Sequence, residues 1–133
     1  MRNGCRTLTG LLAAVVAACA LDAIAGPIPM GTWGGKQGNL VVYADSATLD
    51  LPCAAGRIPQ PMVADSAGHF DLDGSWAPMA GPVGLGGADW QPARFTGLRT
   101  DDHIEMTVKL ATGLSIGPLV FERGVVGQFP RCV

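Results

Sequence analysis

Two eight-residue stretches, 69–76 and 103–110, alternate strictly between two side-chain faces. In the first, Phe70, Leu72, Gly74 and Trp76 share one face, and His69, Asp71, Asp73 and Ser75 share the other. In the second, Ile104, Met106, Val108 and Leu110 oppose His103, Glu105, Thr107 and Lys109. A period of two places successive side chains on opposite sides of an extended strand, with one side buried and the other wet. No segment carries a comparable helical period. The 19 Gly and 10 Pro among 133 residues, the two poorest helix formers, argue against a helical bundle.

Turn residues divide the remainder into further strands. Gly31-Thr32-Trp33-Gly34-Gly35 reads as a first strand or strand start, and residues 40–44 and 47–54 follow, the latter with Leu49, Leu51 and Cys53 on one face. Residues 57–63 are broken by proline and fit at best an edge strand. After residues 69–76 come strands at 93–99, 103–110 and 119–123. Seven or eight short strands joined mostly by tight turns imply an antiparallel meander. A meander of that size removes its adhesive edges by closing on itself. The sequence therefore predicts an all-β fold, a small up-and-down barrel, with a two-sheet sandwich as the alternative. The bulk of the inward Leu, Met, Phe and Trp side chains favours a filled interior over an open cup.

The first 25 residues have a different character. Arg2 and Arg6 precede the uncharged apolar stretch 11–21, and Ala23-Ile24-Ala25 offers small residues where a signal peptidase reads them. This is the layout of a secretory leader, leaving a single domain over residues 26–133. Val16-Ala17-Ala18-Cys19 offers a second route, because it resembles a lipobox whose cysteine is acylated. Either route predicts an exported protein, periplasmic or extracellular, with lipid on Cys19 as its one link to a membrane.

Without residues 1–25 the chain has 108 residues, with seven basic and ten acidic side chains. That balance gives no electrostatic footprint for nucleic acid. Cys53 and Cys132 are then the remaining thiols once Cys5 and Cys19 are set aside, and an oxidising compartment makes a disulfide between them the expectation. Neither belongs to a Cys-x-x-Cys motif, which argues against a redox or metal-binding role.

Gly31-Thr32-Trp33 resembles the G-x-W that opens lipocalins and avidin-like barrels. Thr100-Asp101 is similar to the T-D of the second lipocalin motif, and Arg123 to the arginine of the third. The resemblance implies a calycin-type barrel in which Trp33 and Arg123 close the narrow end, the guanidinium lying across the indole. It implies no activity. Asp102 stands where the family has an aromatic residue, and the chain is shorter than a lipocalin.

Chemical motifs are sparse. Gly113-Leu114-Ser115-Ile116-Gly117 has the spacing of a nucleophile elbow, but that device needs a following helix and a downstream histidine. Pro118 and a strand-like run follow instead, and no histidine occurs after His103. His69, Asp71 and Asp73, together with His103 beside Asp101 and Asp102, could ligate a metal, yet an outward strand face is polar in any case. No cofactor is expected, and no constellation supports an enzyme. Trp76 and Trp90 are the candidate contact residues. Trp76 shares an inward face, and Trp90 lies beside the Gly-rich stretch 81–87, either as a contact or as a lid. The sequence thus predicts a non-enzymatic binding module for a small apolar ligand or an envelope protein. An inhibitor acting on a partner protein is the alternative.

Overall fold

A computed structural model describes residues 25–78 and 89–129. All ten elements among them are strands: β1 (Gly26–Pro27), β2 (Gly31–Gly34), β3 (Asn39–Val42), β4 (Ala47–Leu51), β5 (Ala54–Ile58), β6 (Val63–Ala64), β7 (His69–Pro78), β8 (Gln91–Thr100), β9 (His103–Leu110) and β10 (Ser115–Arg123). Eight of them form a closed antiparallel barrel in the order β10-β2-β3-β4-β5-β7-β8-β9, and β1 pairs with β6 as a separate ribbon. Apart from the ribbon, every strand pairs with its neighbour in sequence, which is the up-and-down arrangement that tight turns dictate.

The alternating stretches behave as their pattern requires. Ile104, Met106, Val108 and Leu110 are buried, as are Phe70 and Trp76, while the intervening side chains lie on the outer wall. Trp33, Phe95 and Phe121 are fully buried, together with Leu40, Leu49, Ile58, Met62, Ile104, Met106 and Val108. One contiguous cluster of these side chains fills the interior.

Phe95 accounts for two glycines of the barrel wall. A Cβ on Gly56 would lie 3.0 Å from its ring, and one on Gly74 would meet both that ring and the Arg57 carbonyl of the adjoining strand. Small residues opposite a large one let the wall close around it at native packing density.

The two ends differ. Where β2 begins and β5 ends, residues 26–30 and 59–64 cross the opening. Ile28 and Met62 are each 2% exposed, the Ile28 N–H donates to the Met62 carbonyl at 2.9 Å, and Trp33 Nε1 donates to the Pro29 carbonyl at 3.0 Å. This is the capped end. The opposite, hairpin end carries the turns at 35–38, 52–53 and 111–114, the end of β7 and the start of β8.

Three expectations change. The stretch 47–54 is not one strand. It turns at Pro52-Cys53, which puts Cys53 on the surface instead of the inward face. The sheet continues through β5, a barrel strand paired on both sides, not an edge strand over 57–63; proline at 59 ends it, and Val63–Ala64 leaves the barrel to join the ribbon. The last strand begins at Ser115, four residues earlier than expected, with a register shift between Ile116 and Leu119 that absorbs Gly117-Pro118.

Candidate functional site

Several residues singled out in the sequence are occupied by the architecture. Trp76 is 6% exposed and belongs to the core, so it is not a surface contact residue. Ser115 pairs with Lys109 in the β9–β10 hairpin, and Gly113 takes the positive φ of the preceding turn, so Gly113 to Gly117 forms a strand–turn–strand unit and not a nucleophile elbow. Asp71 and Asp73 are both engaged by Arg94, whose Nε donates to Asp71 Oδ1 at 2.5 Å and Nη1 to Asp73 Oδ1 at 2.6 Å. The Arg94 hydrogen bond holds the Asp71 carboxyl below its ordinary pKa. Among the described residues, no group of three or more His, Cys, Asp or Glu side chains comes together.

Trp90 is half-buried, and the Arg57 guanidinium lies 3.9 Å from its ring centroid. That pairing crosses the outer wall. Residues 79–88, which hold the Gly-rich stretch, lie outside the described residues, as do Cys19 with the rest of residues 1–24 and Cys132. Cys53 is not a free thiol.

The capped end holds the residues that carry the lipocalin resemblance. Arg123 stands opposite Trp33 in the β2–β10 register, and Asp101 occupies the β8–β9 turn with φ 48°. The Arg123 guanidinium, however, is directed to Asp102, with Nη1 3.6 Å from Oδ1, and among the described residues the guanidinium stacked on a ring is that of Arg57. The buried arginine at this end is Arg99, 6% exposed, whose Nε donates to the Asp101 carbonyl at 3.0 Å. Burial, and next the Arg123 charge, lower its pKa from the usual arginine value, while Asp102 and Asp101 act in the opposite sense. Both arginines sit on inward-facing positions. The Arg99 backbone N–H also donates to the Gly68 carbonyl at 2.8 Å.

The concave feature of the outer wall lies at the seam of the barrel. The pairing between β2 and β10 extends over only Glu122↔Gly34 and Arg123↔Trp33. Beyond it the two strands part, and a groove of about 620 Å³ opens between the β2–β3 turn, β10 and the C-terminal segment. Gly34 and Gly35 lie along it, Val120 and Val125 supply apolar surface, and Lys36, Gln37, Glu122 and Gln128 supply polar groups.

The C-terminal segment is positioned by the glycines and by one side chain. After Gly124, whose N–H reaches the Thr32 carbonyl, the chain doubles back over the outer face of β2. A Cβ on Gly34 would strike the Val125 carbonyl and the Gly127 nitrogen, and one on Gly127 would strike the Gly35 carbonyl, so the strap lies directly on the backbone. Asn39 then accepts the Gly127 N–H at 2.7 Å and donates to its carbonyl at 3.1 Å. Sequence reasoning missed this groove because its parts are generic turn and strand-end residues, far apart in the chain. The one available signal was the Gly34-Gly35 pair after Trp33, read as a strand start.

A second depression, of about 420 Å³, lies on the outer faces of β7, β8 and β9 around His69, Asp71, Thr96 and Glu105. It is shallower, and its Asp71 carboxylate is already held by Arg94.

The chain matches no protein-family model, and neither a curated protein nor a solved structure is significantly similar to it.

Proposed function

We propose that this chain is an exported, non-enzymatic binding protein that engages a partner protein by its outer surface. The observation that carries the reading is the filled interior. A barrel that holds a small apolar ligand needs an internal cup, whereas here nine large side chains from the barrel strands occupy the interior at less than 2% exposure, with Met62 equally buried in the cap. Recognition is then left to the outer wall, where the described concave surfaces lie. The reading favours an inhibitor or envelope-interaction protein over a carrier of small apolar molecules.

Export rests on the leader-like layout of residues 1–25, and a mature chain starting at Gly26 keeps every described strand, including the pairing of Gly26–Pro27 and the core residue Ile28. Acylation of Cys19 is the alternative, and palmitate labelling with a Cys19→Ser control distinguishes the two. The closed eight-strand up-and-down barrel is compatible with a calycin-type, lipocalin- or avidin-like ancestry.

A Cys53–Cys132 disulfide belongs to the same reading. From Gly124 beside Thr32 to Gly127 beside Gly35 and Asn39, the strap advances toward the hairpin end, where Cys53 sits in the β4–β5 turn. Five Cα-to-Cα steps separate Gly127 from Cys132, a reach of up to about 17 Å.

Co-purification from an envelope extract, with the full chain as bait, tests the function. The expected result is one partner retained in stoichiometric amount. Retention of no protein, together with saturable uptake of an apolar small molecule, would overturn the proposal.

A further inference from the structure

The seam groove contains a cation and an anion that do not neutralise one another. Neither Lys36 nor Glu122 takes part in an ion pair among the described residues, which are those of Arg94 with Asp71 and Asp73 and of Arg123 with Asp102. Resting on the partner-binding reading above, we propose that the groove seats an extended segment of the partner in which a short apolar stretch separates a basic from an acidic side chain, the acidic one meeting Lys36 and the basic one Glu122.

The register fixes the layout. Glu122 lies beside Gly34 in the register, and Lys36 follows two residues later in the β2–β3 turn. Val120 and Val125, 37% and 40% exposed, provide the apolar contact in the same groove. Gly34 and Gly35 form the floor between these groups, their missing side chains leaving room for the strap and for the Val120 carbonyl to close on the backbone.

Recognition here works through side chains and not through addition of a strand. The Val120 N–H on the β10 edge is already taken by Gln37 Oε1 at 3.2 Å, and Pro118 on the same strand brings no donor. An incoming chain therefore finds little ladder to extend, and the charges and the valines set the selection. Opposite charges across a contact act mainly on specificity and register.

Four blocked tetrapeptides test this: acetyl-Lys-Val-Val-Glu-amide and the three versions with Gln in place of its Lys, its Glu or both. Each is titrated into the isotope-labelled mature chain while backbone amide shifts are followed. The doubly charged peptide should bind roughly five- to tenfold more tightly than the neutral one, as two solvent-accessible ion pairs allow. Shifts should concentrate at residues 34–37, 120–122 and 125–128. Lys36→Gln should remove the advantage given by the peptide's Glu alone, and Glu122→Gln that given by its Lys alone. Both residues are exposed, so the variants retain the fold, which thermal unfolding checks.

Equal affinity for all four peptides, shifts centred elsewhere, or no binding at millimolar concentration would overturn the assignment. So would free valine or lysine competing as well as the blocked peptide, because the ligand would then be a small zwitterion. A partner that co-purifies equally with both variants would refute the groove while leaving the partner-binding reading intact. Failure to retain any partner would refute that reading, with the peptide titration still reporting on the groove.

Discussion

The Asn39 side-chain amide reads both backbone groups of Gly127, 88 residues away, accepting its N–H at 2.7 Å and donating to its carbonyl at 3.1 Å. In effect, one side chain replaces the strand that would otherwise satisfy this part of the C-terminal strap. Asn39→Ala leaves both groups without their protein partner and should cost about 1–2 kcal/mol in urea unfolding. Amide exchange at Gly127 should accelerate before any strand opens. Asn39→Asp keeps the acceptor and loses the donor, so its stability should fall between the two.

The fit between Phe95 and its glycines gives an ordered series. Gly56→Ala places a methyl 3.0 Å from the Phe95 ring and 3.2 Å from Leu49 Cβ, where side chains can give way by a few tenths of an ångström. Gly74→Ala drives a methyl into the Arg57 carbonyl, where backbone must move. Denaturant midpoints should therefore fall more for Gly74→Ala, by about 3 kcal/mol or more, than for Gly56→Ala, at about 1 kcal/mol. Phe95→Ala opens a cavity at the barrel centre and should cost about 3–5 kcal/mol.

A disulfide from Cys53 to Cys132 would close a loop of about 80 residues and contribute up to about 4.5 kcal/mol through the unfolded chain. Cys53→Ser should lower stability by about 2–4 kcal/mol, and reductant should then have no further effect. Thiol titration of the denatured mature chain should find two thiols after reduction and none before it.

The Arg94 pair with Asp71 has a defined pH signature. Folding lowers the Asp71 pKa, so its contribution is present above the unfolded carboxyl value near 4 and is lost as pH falls through the lower folded value. An NMR titration should show Asp71 ionising below its ordinary range, and Arg94→Gln should return it upward. Both groups are exposed, so added salt should weaken the effect.

What could be read from the sequence followed from local pattern. The alternation at β7 and β9 identifies their inward residues, and short turns imply the strand order. β5 was hidden because its sequence, Ala-Ala-Gly-Arg-Ile, carries little β-propensity; Gly56 is small to admit Phe95, a tertiary requirement. Arg99 and Arg123 have the same inward parity, yet one is buried and the other exposed, a difference that parity in the sequence does not carry. The groove could not be read at all. It depends on β2 being too short to follow β10 along its length, which is a property of the closed sheet and of no single segment.

The central claim is that the barrel is solid and acts from outside. Methyl-resolved NMR of the mature chain tests it most directly, following Met62, Met106, Val108 and Ile58 while a panel of fatty acids, retinoids and aromatic apolar ligands is added. The account predicts no saturable shift at these interior methyls. A saturable shift confined to them would show that the interior opens to accept a ligand and would contradict it.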